Sequence, residues 1–279
     1  MLVSSLKRVR RRVQRLRYER VCARQPNPLA QHPGTIVTLF YDVEGDFARA
    51  GKTAVEIETL GRILEIEQRC GIRSTYNVVA RFALEARAAV AEIARAGQEI
   101  ASHSYDHSIL TTLSRTAIAD NARRAKQTFA ELGIEISGHR SPQSDWDDRV
   151  LDALVASGYR WSAENGAEPY PYRIRRTDEG GLWRFVVAGD DWAYQASRCS
   201  PGAMLAQWQR IVRDAVAERR KNVAIGFHAW VEAEPGRLQA LEDFFRWLVA
   251  LDGVRVMPFG DVARAINQSK APELAAADG

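Results

Sequence analysis

With 279 residues, 46% of them hydrophobic and 27% charged, the chain has the composition of a soluble globular protein and the length of one large α/β domain. Its three cysteines (Cys22, Cys70, Cys199) are scattered without Cys-x-x-Cys spacing, which argues against cysteine-ligated zinc and for a reducing compartment. The net charge of +4 is uneven: residues 1–24 carry nine Lys or Arg against Glu19 alone, a net of +8, which leaves −4 on the rest and argues against a nucleic-acid-binding domain.

Taken in chain order, residues 4–24 place Leu6, Val9, Val13, Leu16 and Val21 at roughly helical spacing among arginines. This predicts a basic amphipathic helix, either attached to an anionic membrane surface or packed on the domain. No continuous apolar segment follows the charges, so a secretory signal is not expected and the chain is placed in the cytoplasm, peripheral to the inner face of the membrane if the arm binds lipid. Pro26, Pro28 and Pro33-Gly34 break the chain before Thr35–Tyr41, an apolar, β-branched run suited to a strand buried on both faces. That run ends in Asp42-Val43-Glu44-Gly45-Asp46, readable as a turn or as carboxylates delivered to a cleft.

Ala54–Cys70 reads as a helix closed by Gly71, Ile72–Val79 as a strand, and Arg81–Ala96 as one helix closed by Gly97. A short strand over residues 97–102 then leads to His103-Ser104-Tyr105-Asp106-His107. Two histidines at i and i+4 share one face if the segment forms a helical turn, and could reach one metal ion; alternatively they are solvated or capping residues. A helix over Ser114–Leu132 follows, with Ser114 as N-cap. Ile134–Ser137 reads as a strand leading to Gly138-His139-Arg140-Ser141-Pro142, where Arg140 is a surface cation or a clamp for a carboxylate.

Asp147–Ser157 is expected to be helical and Tyr159–Trp161 to begin a strand, with residues 165–181 as a long irregular insert. Leu182–Val187 is strand-like and opens into Gly189-Asp190-Asp191-Trp192. After a helix over Pro201–Arg220, a strand over Asn222–Phe227 delivers His228-Ala229-Trp230. Leu238–Leu251 is the last long helix, Val254–Met257 a final strand and Pro258–Val262 the cap of a terminal helix, with a frayed tail beyond. Strands and helices alternating every ~25–30 residues indicate stacked βα units.

Read together, Asp42/Glu44, His103/His107, Arg140-Ser141-Pro142, Asp191-Trp192 and His228, each after an expected strand, resemble the polysaccharide deacetylase family, the NodB-homology enzymes of carbohydrate esterase family four. The resemblance spans about Thr35 to Ala265. It implies a distorted, incomplete (β/α) barrel of parallel strands with outer helices over residues 35–268, preceded by the basic arm and linker (1–34) and followed by a tail (269–279). It implies His103 and His107 as imidazole ligands of a divalent metal, Glu44 as the carboxylate ligand with Asp46 left open, Asp42 as catalytic base, Arg140 as the arginine that orients it, and His228 as general acid supported by Asp191. Ser144 stands where the family usually has a glycine. Zn²⁺ suits the ligand set, which also accepts Fe, Co, Ni or Mn. A backbone N–H near Tyr105 is expected at the acyl oxygen, with Tyr105, Trp192 and Trp230 against the substrate.

The implied activity is hydrolysis of an N-acetyl group from an amino sugar, a nucleotide- or lipid-linked intermediate of cell-surface glycan assembly. A deformylase of a lipid-linked formamido sugar, suggested by His228-Ala229-Trp230-Val231-Glu232, and a non-catalytic carbohydrate-binding relic of the fold are the alternatives. No nucleic acid is expected as a partner.

Overall fold

The computed structural model describes residues 13–275 apart from 14, 49, 167, 178, 179 and 193–197, with side chains up to residue 268. The arm's first twelve residues and the end of the tail lie outside the described residues, including Leu6 and Val9 of the amphipathic pattern.

After a helical stretch over residues 15–22, the elements run β1 (Thr35–Val43), α1 (Thr53–Cys70), β2 (Thr75–Val78), α2 (Ala80–Glu85), α3 (Arg87–Arg95), β3 (Glu99–Ser102), α4 (Arg115–Glu131), β4 (Gly138–His139), α5 (Asp148–Ala156) and β5 (Trp161–Asn165). There follow β6 (Tyr172–Arg175), β7 (Leu182–Asp190), α6 (Pro201–Ala217), β8 (Asn222–His228), α7 (Ala229–Glu232), α8 (Arg237–Val249), β9 (Val254–Val256) and α9 (Phe259–Ala275).

Parallel pairing runs β1-β2-β3-β4-β5-β7-β8 and returns to β1, so the sheet closes into a barrel with helices outside. The ring has fewer strands than the regular eight. β9 pairs with the first residues of β1 (Thr35–Val37) while β2 pairs with its last (Phe40–Val43), so one strand serves two neighbours along its length.

The strand period of two sorts β1 into two faces. Val37, Leu39, Tyr41 and Val43 pack outward with the helical layer, and Ile36 and Phe40 join Trp161, Trp183, Phe185 and Phe259 in a second apolar cluster inside the ring. Asp42 shares the parity of Ile36 and Phe40 and therefore sits at the top of that interior column. The same parity in β8 runs through Ala224 and Gly226 to His228. Gly226 leaves room for the Phe40 ring, since a Cβ there would lie 2.4 Å from it.

Several expected elements are corrected. The Arg81–Ala96 helix is two, broken at Ala86 (φ −112°, ψ 41°). Ile134–Ser137 is not a strand; the two-residue β4 follows it, held close to β5 because Gly138 lies against the Trp161 indole. The 165–181 insert contains β6, antiparallel to β7, whose alternation buries Tyr172 and Ile174 and leaves Arg173 and Arg175 outward. Ser114 caps α4 as expected, its Oγ accepting from Ala117 N–H. No helix among the described residues is long and apolar enough to cross a membrane.

The arm covers a gap in the helical layer. Between β5 and β7 the chain makes β6 rather than a helix, and the outward Arg184 of β7 would be left bare. Instead Glu19 and Tyr18 of the arm close over it: Arg184 Nη1 donates to Glu19 (3.5 Å), Tyr172 O–H donates to Glu19 (3.1 Å), and Tyr18 O–H donates to the Ile174 carbonyl (2.8 Å).

Candidate metal centre

Three side chains meet at the C-terminal edge of the barrel. Glu44 Oε1 lies 3.2 Å from His103 Nε2 and 3.0 Å from His107 Nε2, and one donor atom from each of the three residues falls within 4.8 Å of the others. Glu44 leaves β1 through Gly45, whose left-handed backbone (φ 55°) faces Phe82 at a distance that no Cβ would tolerate. Asp46 is not part of the group: it is exposed, and its Oδ1 accepts from the N–H groups of Lys52 and Thr53 at the start of α1.

The histidine pair does not ride on a helical turn. Residues 103–107 form a loop in which Ser104 (φ 68°) and His107 (φ 61°) are left-handed, a conformation that costs a non-glycine residue about 1 kcal/mol or more. Side chains hold that loop where helical hydrogen bonds would have. Ser104 Oγ accepts from His107 N–H (2.9 Å), Asn121 Oδ1 from Tyr105 N–H (2.9 Å), and Asp106 Oδ1 from Asn121 Nδ2 (3.0 Å). The Tyr105 N–H is therefore committed to Asn121 and not free for an acyl oxygen.

His103 Nδ1 sits 2.9 Å from the Arg140 carbonyl, which accepts only if that nitrogen carries the proton. This leaves Nε2 as the nitrogen aimed at Glu44, and in the neutral imidazole it is the bare one that a metal needs. The donor set fits a divalent cation: two imidazole nitrogens and one carboxylate, with no fourth protein ligand in the group.

Beside the triad stands Asp42, almost fully buried. Its Oδ2 accepts from Arg140 Nε (2.7 Å) and its Oδ1 from Asn77 Nδ2 (2.9 Å). Burial alone would raise this carboxyl, but the Arg140, His103 and His228 charges outweigh it and hold Asp42 below the ordinary carboxylate range. Arg140 is itself buried, stacked over Phe40 (4.8 Å), donating to Ser144 Oγ (3.2 Å) and the Ala163 carbonyl (3.3 Å), with Asp190 at 3.6 Å. Ser144 keeps the left-handed backbone of a glycine position (φ 50°) and adds a hydroxyl that binds Arg140 and receives Asn165 N–H.

His228 closes the site from β8. Asp191 grips it twice, accepting from His228 N–H (2.6 Å) and facing Nδ1 (2.5 Å). Burial lowers this imidazole's affinity for a proton, yet Asp191 overrides it and the group is pushed well above the ordinary histidine range. Nε2 points inward, 3.9 Å from Asp42 and 4.0 Å from Glu44, a gap that one oxygen or nitrogen atom can bridge. Trp192, half exposed, and Trp230, buried, meet edge-on at 5.7 Å and flank the His228 ring at 6.1 and 5.9 Å. Tyr105 stands further out, stacked under Arg124 (3.9 Å).

Two residues that the sequence did not single out support the centre. Asn77 lies in register with Asp42 on the neighbouring strand; its signal was a lone amide near the end of a buried strand. Glu56 on α1 is fully buried and accepts from Glu44 N–H (3.2 Å) and, more closely, Gly45 N–H, which fixes the backbone that carries the carboxylate ligand. Burial pushes the Glu56 carboxyl up to about 8.

The polysaccharide deacetylase family profile matches residues 51–162, a span that holds His103, His107 and Arg140 and stops short of Asp42 and His228. Among solved structures, a Mycobacterium smegmatis protein assigned to the polysaccharide deacetylases superposes with a TM-score of 0.77 at 22% identity, over 85% of this chain and 92% of that one. A Pseudomonas aeruginosa PAO1 protein of the same assignment gives 0.74 at 16% identity, over 86% and 93%. The PuuE allantoinase gives 0.76 at 16% identity, over 89% and 95%. No curated protein sequence matches the chain. The fold is thus that of the polysaccharide deacetylases, the NodB-homology or family-four carbohydrate esterases, at long sequence distance. Fold and triad together support metal-dependent chemistry of the deacetylase type in general.

Proposed function

We propose that the protein is a metal-dependent amidohydrolase that removes the N-acetyl group of an amino sugar, a nucleotide- or lipid-linked intermediate of cell-surface glycan assembly, with Zn²⁺ as the cation. The observation that carries this reading is convergence. A carboxylate clamped by arginine, a His-His-Glu triad and an aspartate-backed histidine all face one space about 4 Å across.

Glu44, His103 and His107 would hold the cation, which supplies Lewis acidity toward water and an acyl oxygen. Asp42 accepts the proton of the attacking water at whichever lone pair Arg140 and Asn77 leave open; their hydrogen bonds keep it ionised and aligned. His228, charged through Asp191, presents Nε2–H to the departing amine. Trp192, half exposed, offers an aromatic face at the same edge where a sugar ring can stack, while Trp230 is buried beneath Lys52 and backs Trp192 edge-on.

The test is metal analysis of the purified protein, paired with measurement of acetate and formate release from N-acyl amino sugars on nucleotide and lipid carriers. Stoichiometric divalent metal and acetate release are expected. Formate release alone would assign the deformylase activity instead. Protein that binds no metal under saturating Zn²⁺ leaves a carbohydrate-binding relic.

A further inference from the structure

The arm uses one face of its helix on the barrel, and no other described residue covers the opposite face. Arg15, Tyr18, Glu19, Cys22 and Ala23 turn inward. On the opposite side Val13, Leu16 and Val21 are 43%, 38% and 61% exposed, interleaved with exposed Arg17, Arg20 and Arg24. None of these three arginines makes an ion pair among the described residues.

We propose that this outer face docks the protein on an anionic lipid bilayer surface. Three features favour that occupant. Exposed valine and leucine set among arginines suit a helix lying in the headgroup region, with guanidinium groups on the phosphates and the apolar side chains between them. A nucleic acid would engage the arginines and leave Val13, Leu16 and Val21 in water. The charge also separates, +8 over residues 1–24 against −4 on the rest, so attraction to an anionic surface acts on the arm and turns that side of the molecule inward.

The geometry gives the docking a consequence. Arg15 donates to Asp145 (2.9 Å), and the other oxygen of Asp145 accepts from Thr111 Oγ1 (2.5 Å). Asp145 and Thr111 belong to the loops that follow β4 and β3, at the barrel edge that carries the triad. The N-terminal end of the docking face therefore lies beside the mouth of the site. The docking itself does not depend on which acyl sugar is cleaved.

The test is co-sedimentation of the full chain with vesicles of phosphatidylcholine alone or with added phosphatidylglycerol. Binding to the anionic vesicles only is expected. The R17E/R20E/R24E variant should lose partitioning at least ~100-fold, given the free energy of each cation near such a surface. L16S/V21S, which keeps every charge, should lose ~tenfold. All five positions are exposed, so unchanged melting curves certify the fold, with single Arg20→Glu as the milder version. Equal binding to both vesicle types, or full binding by the triple arginine variant, overturns the proposal. So does undiminished binding by L16S/V21S together with equal affinity for duplex DNA.

Discussion

Asp42 and His228 each have a charged partner that favours their ionised form, Arg140 for the one and Asp191 for the other, and this lets the roles be separated by mutation. His103→Ala or His107→Ala removes one of only two imidazoles in the triad. Either variant should lose metal and hydrolysis together, read by metal content and acyl release. His228→Ala should keep its metal while turnover falls by ~10²–10⁴, the usual cost of removing acid–base catalysis; a metal-free His228→Ala protein would assign it to the ligand set instead. Asn77 makes a sharper case because it touches only Asp42 within the site. A hydrogen bond to a charged group is worth about 1.5 kcal/mol, or roughly one pH unit. Loss of that donor in Asn77→Ala removes a bond that favours the ionised base, so the acidic limb of kcat/KM should move up by about one unit. An unmoved limb would separate Asn77 from the base. In the sequence Asp42, Glu44, His103, His107, Arg140, Asp191 and His228 stand out as a set, through the order and spacing of motifs that resemble the family's, while taken singly each also has a structural reading. Asn77 and Glu56 do not, since one follows Tyr76 inside a strand and the other lies within an ordinary helical pattern. Only the register of β1 with β2 and the packing of α1 give them meaning.

At the scale of elements, α1 carries a second buried acid that faces away from the chemistry. Glu67 accepts from Ser74 Oγ (2.5 Å) and Tyr76 O–H (2.7 Å), and burial pushes its carboxyl up to about 7 from an ordinary 4.5. A raised acid binds its proton more tightly in the folded chain than in the unfolded one, so between pH 4.5 and 7 the folded state holds the extra proton. Stability from this group is therefore complete below about pH 4.5 and falls as pH rises through 7. The span of about 2.5 units corresponds to at most about 3 kcal/mol. Glu67→Gln should flatten that part of the stability–pH curve, measured by denaturant unfolding at pH 5 and 8, and gain relative to the parent at the higher pH. An equal slope in both proteins would mean that Glu67 stays ionised. Element type was readable wherever one period dominated, as in the strands flanking the site and in α1, α4 and α6. It was lost where side chains replace backbone hydrogen bonds, as in the 103–107 loop, or where an alternating tetrapeptide such as Tyr172–Arg175 is hidden between proline and glycine pairs.

For the whole molecule, the arm is part of the barrel wall on one side and, among the described residues, exposed on the other. No local signal in residues 15–24 announces this, because the partner of Glu19 lies 165 residues away at Arg184. Both groups are buried, Glu19 at 5% and Arg184 at 1% exposure, and Arg184 also donates to Ser162 Oγ and stacks over Trp146 (4.2 Å). Burial raises the Glu19 carboxyl, while Arg184 and the Tyr172 hydroxyl oppose the rise. Removing one member of a buried pair strands the other, at a cost of about 3–5 kcal/mol. For a chain of this size each kcal/mol shifts the melting midpoint by about 2–4 °C. Glu19→Ala should thus lower the midpoint by roughly 6–20 °C. Glu19→Gln retains an acceptor for Tyr172 and should lose less, and Arg17→Ala on the outer face should lose nothing measurable. Melting followed by circular dichroism compares the three. If Glu19→Ala melts with the parent, the arm is a passive tail and the surface beneath it needs another cover.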